Sequence, residues 1–145
     1  MNRQSLSKLA KEAKALYQWT TVRDFANQVY GEGKAAKVEI ETYGEYNDEG
    51  GTNYRIESIE AYDKDGNELD IDYSLPFFQT KLWRDSVDED EDFCYNYSEI
   101  CWGMTDEDHE KWVCFDDLPV NDEGETFDLT VEPKLSLPGS EQCHV

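Results

Sequence analysis

The sequence predicts an α+β domain in which an N-terminal helical hairpin packs on a mainly antiparallel β-sheet, with one further short helix. Two changes along the chain carry that prediction. Apolar residues recur at helical spacing as far as Tyr30, and beyond Gly33 the period shortens to two. The acids fall almost entirely in the second, strand-forming part, where they alternate with apolar residues as the wet face of a sheet does. With 145 residues, 38% hydrophobic and 13% aromatic, the chain has material for one core and little room for a second. One domain over residues 1–132 is expected, followed by a tail over 133–145.

Leu6, Leu9, Ala10, Ala13, Leu16 and Tyr17 recur at three- and four-residue steps with Lys8, Lys11, Glu12 and Lys14 between them, which predicts an amphipathic helix. A second helix is expected to begin with Thr21 as its cap. Val22, Phe25, Ala26, Val29 and Tyr30 share one face there, and Gly31 ends it. The turn of the hairpin then falls at Gln18-Trp19-Thr20. Val38, Ile40 and Thr42 alternate with Glu39, Glu41 and Tyr43, a strand pattern, and Asn47 to Gly51 turns the chain into a second strand, Tyr54 to Tyr62. The alternation slips between Ile56 and Ile59, which predicts a β-bulge. Asp63-Lys64-Asp65-Gly66-Asn67 is turn chemistry leading to a third strand, in which Leu69, Ile71 and Tyr73 alternate with Asp70 and Asp72. Residues 77–83 fit a short helix or an irregular segment equally. A strand is expected over 93–97, a helix after the cap Thr105 with Asp106, Glu107 and Asp108 in its first turn, and a last strand over 126–131.

Charge is the dominant physical property. Net charge is −21, yet residues 1–37 hold seven basic and three acidic side chains, which leaves six basic and 31 acidic for the rest of the chain. A field of that sign repels duplex nucleic acid and anionic membrane surfaces and accelerates encounter with cationic partners. Direct nucleic-acid binding and membrane association are therefore not expected. The segment Met1 to Lys8 lacks the apolar run of a secretory signal, so a cytoplasmic location with reduced thiols is expected for Cys94, Cys101, Cys114 and Cys143.

No catalytic motif emerges. A Ser or Cys nucleophile would have only His109 and His144 as its histidine base, and neither lies in a nucleophile signature. The Cys143-His144 pair lies in the tail, where it lacks rigid support. The glycines of Gly31-Glu32-Gly33-Lys34 and Glu49-Gly50-Gly51-Thr52 lack phosphate-loop spacing. Asp88, Asp90, Asp92 and Glu99 match four ligand positions of a calcium loop, but Phe93 stands where the sharp turn needs glycine. Cys94, Cys101, His109 and Cys114 include zinc-ligand types without the short paired spacing of a zinc knuckle, and buried thiols are the preferred reading. No metal, cofactor or catalytic residue is expected.

A binding role follows instead. Asp85 to Asp92 carries six acids in eight residues, so Asp88, Glu89, Asp90, Glu91 and Asp92 are the expected partner contact. Glu39 and Glu41, with Asp70 and Asp72 on a neighbouring strand, would form a flat patch with carboxylates repeating at about 6.7 Å along each strand. Tyr43, Tyr46, Tyr95, Tyr97 and Trp102 are candidate aromatic anchors among the acids. In this character, and not through a shared motif, the chain resembles the DNA-mimic proteins that phages and mobile elements direct against restriction or CRISPR nucleases. That resemblance implies an anti-CRISPR or anti-restriction type of inhibitor whose partner is a basic nucleic-acid-binding protein or nuclease complex. The competing readings are an immunity or antitoxin protein against a cationic toxin, a domain whose charge serves solubility alone, and a role for the basic N-terminal helices.

Overall fold

The computed structural model describes residues 2–136 and has the expected α+β composition. It contains one long N-terminal helix, a three-stranded antiparallel sheet and three short helices between the second and third strands. The tail segment 137–145, with Cys143 and His144, lies outside the described residues.

Helix α1 runs from Arg3 to Val29 without interruption, which corrects the expected hairpin. Nothing at Gln18-Trp19-Thr20 forces a turn, since the segment has neither glycine nor proline. Thr21 Oγ1 donates back to the carbonyl of Tyr17 at 2.8 Å, so the hydroxyl expected to cap a new helix is satisfied inside the existing one. Asn2 caps the start through its side chain, which accepts the N–H of Ser5 at 2.9 Å. Tyr30 caps the end, and Gly31 follows at φ +114, a conformation that favours glycine. The helix is about 40 Å long, yet its buried side chains, Trp19, Thr21, Val22, Phe25, Ala26 and Val29, all lie in its second half. Leu6, on the apolar stripe of the first half, remains exposed.

Strands β1 (Lys37–Tyr46) and β2 (Thr52–Tyr62) form the expected hairpin. Glu41 pairs with Ser58 and Thr42 with Ile56, which leaves Glu57 as the extra residue of a bulge where the alternation slips. Strand β3 (Glu125–Asp128) pairs antiparallel with the other edge of β1, giving the order β2-β1-β3, and it ends three residues before the expected limit. Gly124, at φ +76, leads into it where a Cβ would meet the Ile40 carbonyl at 2.7 Å, so the close approach of the two chains requires glycine.

Residues 63–67 form the expected turn, but 68–73 do not form the expected strand. Asp63 Oδ1 accepts the N–H groups of Asp65 and Asn67, both at 2.9 Å, and Tyr62 bridges Glu68. The chain then leaves the sheet: the N–H of Asp72 donates to the Val29 carbonyl at the end of α1 (2.9 Å), and Asp72 turns onto Ser74. Leu69 and Ile71 pack on the rim of the core, so a side-chain alternation that resembles a strand is used without a partner strand.

A 3₁₀ turn at Pro76–Gln79 and helix α2 (Lys81–Arg84) place Phe77, Phe78 and Trp83 in the core. Residues 93–97, expected as a strand, open helix α3 (Phe93–Ile100), with Asp92 as its cap accepting the Tyr95 N–H at 2.8 Å. Phe93, Tyr97 and Ile100 fall on one helical face, and the aromatic run is a helix stripe cut short. Helix α4 (Asp106–Lys111) starts as expected, with Thr105 and Asp108 closing a capping box. The core lies between the second half of α1, the inner sheet face of Val38, Ile40, Ala61 and Phe127, and the aromatic cluster centred on Tyr97 and Phe77. Among the described residues no helix is long and apolar enough to cross a membrane.

Candidate functional site

The acidic loop is tied down from beneath by one buried side chain. Asn96, on the inner side of α3, accepts the N–H of Asp88 at 2.9 Å and donates to the carbonyls of Asp88 (3.0 Å) and Glu91 (3.4 Å). Within the loop, the Asp88 carboxylate accepts the Asp90 N–H at 3.0 Å. Asp88, Glu89, Asp90, Glu91 and Asp92 are all exposed and held on a hydrogen-bonded backbone. Asn96→Ala removes the partner of the Asp88 N–H and of the Glu91 carbonyl, while the Asp88 carbonyl keeps the Glu91 N–H at 3.1 Å, and a loss of about 1–3 kcal/mol is expected. Amide exchange is the check: protection at Asp88 should fall in the variant while protection in the β1–β2 hairpin stays, and equal loss in both would show that Asn96 supports the whole fold instead.

The loop leads into a groove of ≈ 550 Å³ between α3 and the β1–β2 hairpin. Tyr43 and Tyr54 line it from the hairpin, Tyr95 from α3, and the carboxylates of Glu57, Asp92 and Asp116 stand along it. The three tyrosines are exposed. The charge of Glu99, then partial burial, then Glu91 and Asp88, raise the Tyr95 hydroxyl above the usual tyrosine range, a sign that acids from loop and helix gather around it. Arg55 also reaches the groove, but its guanidinium is engaged by Glu45 at 3.2 Å. Cys94 lies in the wall, where burial and the nearby Asp92 push its thiol up to about 11. A ring of carboxylates beside tyrosine faces suits a cationic side chain: the rings offer cation–π faces and the acids offer charge-assisted hydrogen bonds.

The structure thus joins part of the expected site and dissolves the rest. Asp92 and Tyr95 meet Tyr43 in the groove, with the loop acids alongside. Tyr97 is the clearest correction: it is 0% exposed, donates its hydroxyl to the Val113 carbonyl and cannot touch a partner. The flat patch is also corrected, because Asp70 and Asp72 belong to no strand. Glu39 is ion-paired with Lys37 at 3.4 Å, and Glu41 accepts the Ser58 hydroxyl at 3.3 Å. The Asp72 carboxyl is held below the usual range by hydrogen bonds from Ser74, with Lys34 nearby, so it is committed to its own turn. Tyr46 and Trp102, 91% and 89% exposed, stand outside the groove lining. Sequence reasoning missed Tyr54, Glu57 and Asp116 as groove residues; only the bulge expected between Ile56 and Ile59, which spans Glu57, touched any of them in advance.

The metal-ligand types sort differently from their order in the chain. Among the described residues, Asp88, Asp90, Asp92 and Glu99 bring no three ligand atoms together, and Asp92 is engaged as the α3 cap. The ligand atoms of Cys101, Cys114 and Asp116 do lie within 4.8 Å of one another, as do those of His109, Cys114 and Asp117. Cys94 belongs to neither group. Comparison with protein-family models, with curated proteins and with solved structures finds no match to this chain.

Proposed function

We propose that this protein is a non-enzymatic, nucleic-acid-mimicking inhibitor that acts in the cytoplasm by occupying the Lys/Arg-lined channel of a basic nucleic-acid-binding protein or nuclease, in the manner of anti-CRISPR and anti-restriction proteins. The observation that carries the reading is the continuity of the loop Asp88 to Asp92 with the groove of Tyr43, Tyr54, Tyr95, Glu57 and Asp116. A nucleic-acid strand offers its partner anionic groups on a held backbone beside stackable rings. Here Asn96 holds the carboxylates and the tyrosines supply the rings. Holding the loop matters because carboxylates already in place lose less conformational freedom on binding than a mobile acidic run does.

The test is retrieval of partners from a host lysate on the tagged full-length chain, beside a variant carrying D88N, E89Q, D90N, E91Q and D92N. Asn at position 92 caps a helix as well as Asp, and Asn at 88 can still accept the Asp90 N–H, so the variant is expected to fold. The expected result is a basic protein released by salt, displaced by duplex DNA, and associating with the neutralised variant at least about tenfold more slowly at low ionic strength. Association at the unmodified rate would remove the loop from the site. A cationic partner that duplex DNA fails to displace would overturn nucleic-acid mimicry and favour the antitoxin-type reading.

A further inference from the structure

We propose that Cys101, Cys114 and Asp116 form a site for one zinc-like divalent cation that ties the end of α3 to the segment carrying the groove wall. In sequence the two cysteines are separated by twelve residues, without the short pairing of a zinc knuckle. The fold supplies what the spacing lacks. Cys101 follows α3 directly, Cys114 is buried where the chain returns after α4, and Asp116 sits in the 3₁₀ turn Phe115–Asp117 that begins there. Their two sulfurs and one carboxylate oxygen lie within 4.8 Å of one another. A tetrahedral zinc with sulfur at about 2.3 Å and oxygen at about 2.0 Å needs ligand separations of roughly 3.5–3.8 Å, an adjustment within the reach of side-chain rotation.

Cys114 also belongs to the second group, with His109 and Asp117, so a single sulfur serves both and one ion at a time can use it. The group with two thiolates is preferred by a borderline-soft cation over the group with one. Asp117 has a separate task, because its carboxylate accepts the Cys114 N–H at 3.3 Å and fixes the backbone at that cysteine. Binding converts two thiols to thiolates, and the Asp116 carboxylate supplies the third ligand. Two protons leave for each cation taken up, and the fourth position is left to water.

Cobalt(II) alone, titrated under argon into the full-length reduced protein, is the probe. The expected result is one equivalent bound, with thiolate-to-cobalt charge-transfer absorption of two-thiolate intensity and two protons released in weakly buffered solution. Zinc should bleach that absorption. C101S, at a half-buried position that tolerates the change, should reduce the band to one-thiolate intensity or abolish it, and C114S should abolish it. C94S, C143S and H109Q should leave it intact, which separates this site from the tail pair and from the second group. A band absent from the reduced protein, retained at full intensity in C101S, or lost in H109Q or C143S would overturn the assignment.

Discussion

Tyr97→Ala is expected to lower the free energy of unfolding by about 3–5 kcal/mol, a large share of what a domain of this size has in hand. Tyr97 is enclosed by aromatic rings on several sides, with Phe25 edge-on at 5.8 Å, Phe77 and Phe93 each at 5.5 Å and Phe115 at 5.6 Å between centroids. Truncation removes those contacts and leaves a cavity that so many rings from separate elements cannot easily fill. Its hydroxyl has a second role. It donates to the Val113 carbonyl and accepts from Gln28 Nε2 at 2.7 Å, while Gln28 Oε1 accepts the Val113 N–H at 2.8 Å. Three parts of the chain, α1, α3 and the strand-like segment after α4, are joined at that point.

Tyr97→Phe keeps the rings and loses the hydroxyl, so a smaller loss of about 1–2 kcal/mol is expected. Gln28 Nε2 also lies 3.3 Å from the Val113 carbonyl and can take over part of that bond. Urea unfolding followed by tryptophan fluorescence measures both changes. Because the residue is buried, Tyr97→Phe should leave partner association untouched. A binding defect in a Tyr97→Phe protein of near-normal stability would return Tyr97 to the interface and contradict its placement in the core.

The features legible in the sequence were those set by local chemistry. The β1–β2 hairpin follows from alternation and from a turn rich in Asn, Asp and Gly, the bulge from the slip of phase between Ile56 and Ile59, and the start of α4 from Thr105 with Asp108 three residues on. Errors arose where a local signal had two physical outlets. Thr21 can cap a helix or bond back within one; it bonds back to the Tyr17 carbonyl, in a stretch of helix that the Trp19 indole N–H ties to the Asp128 carbonyl at 2.8 Å across 109 residues. The run Phe93 to Tyr97 suits strand and helix alike, and the arbiters were Asp92 as a cap and Ile100 completing the apolar face. Leu69 and Ile71 alternate because one side of an irregular segment faces the core rim. The loop of the candidate site was visible as composition, but the groove was not. Its walls come from residues 43, 54–57, 92–98 and 115–120, and no window of sequence contains them together.

Alkaline pH is expected to unfold this protein well before acid does, for a reason located in its tyrosines. Burial, followed by the charges of Cys94 and of Glu68 and Glu60, raises the Tyr30 hydroxyl far above the usual tyrosine range. Burial does the same for Tyr97. The Tyr62 hydroxyl, which donates to Glu60 at 2.6 Å, is pushed up to about 12 chiefly by that bond. A raised tyrosine pKa means that the folded state keeps a proton the unfolded chain gives up near pH 10. The stabilisation is therefore complete below pH 10 and drains away as pH climbs toward the folded values. Each buried tyrosine contributes a slope of about 1.4 kcal/mol per pH unit in that window, so Tyr30 and Tyr97 together remove roughly 2–3 kcal/mol between pH 10 and 11. The thiols of Cys94 and Cys114, raised to about 11 and about 12 mainly by burial, act with the same sign from about pH 8.5 upward.

On the acid side the effects oppose one another. Asp63, Asp72, Asp108 and Asp128 have carboxyls held below their usual range, mainly by hydrogen bonds from their own turns or caps, and the stability they lend is lost as pH falls through those lowered values. Protonating the remaining carboxylates meanwhile relieves the self-repulsion of a chain with a net charge of −21. Urea midpoints at each pH from 5 to 11 should therefore change little below neutrality and fall steeply above pH 10. Tyrosinate absorbance, read on the same samples, should show Tyr30 and Tyr97 ionising only as the protein unfolds. Tyr97→Phe should remove about half of the slope that Tyr30 and Tyr97 contribute together, because Tyr30 then acts alone among the deeply buried pair. Midpoints that stay level through pH 11, with all nine tyrosines titrating in the folded state, would mean that neither hydroxyl is enclosed as described.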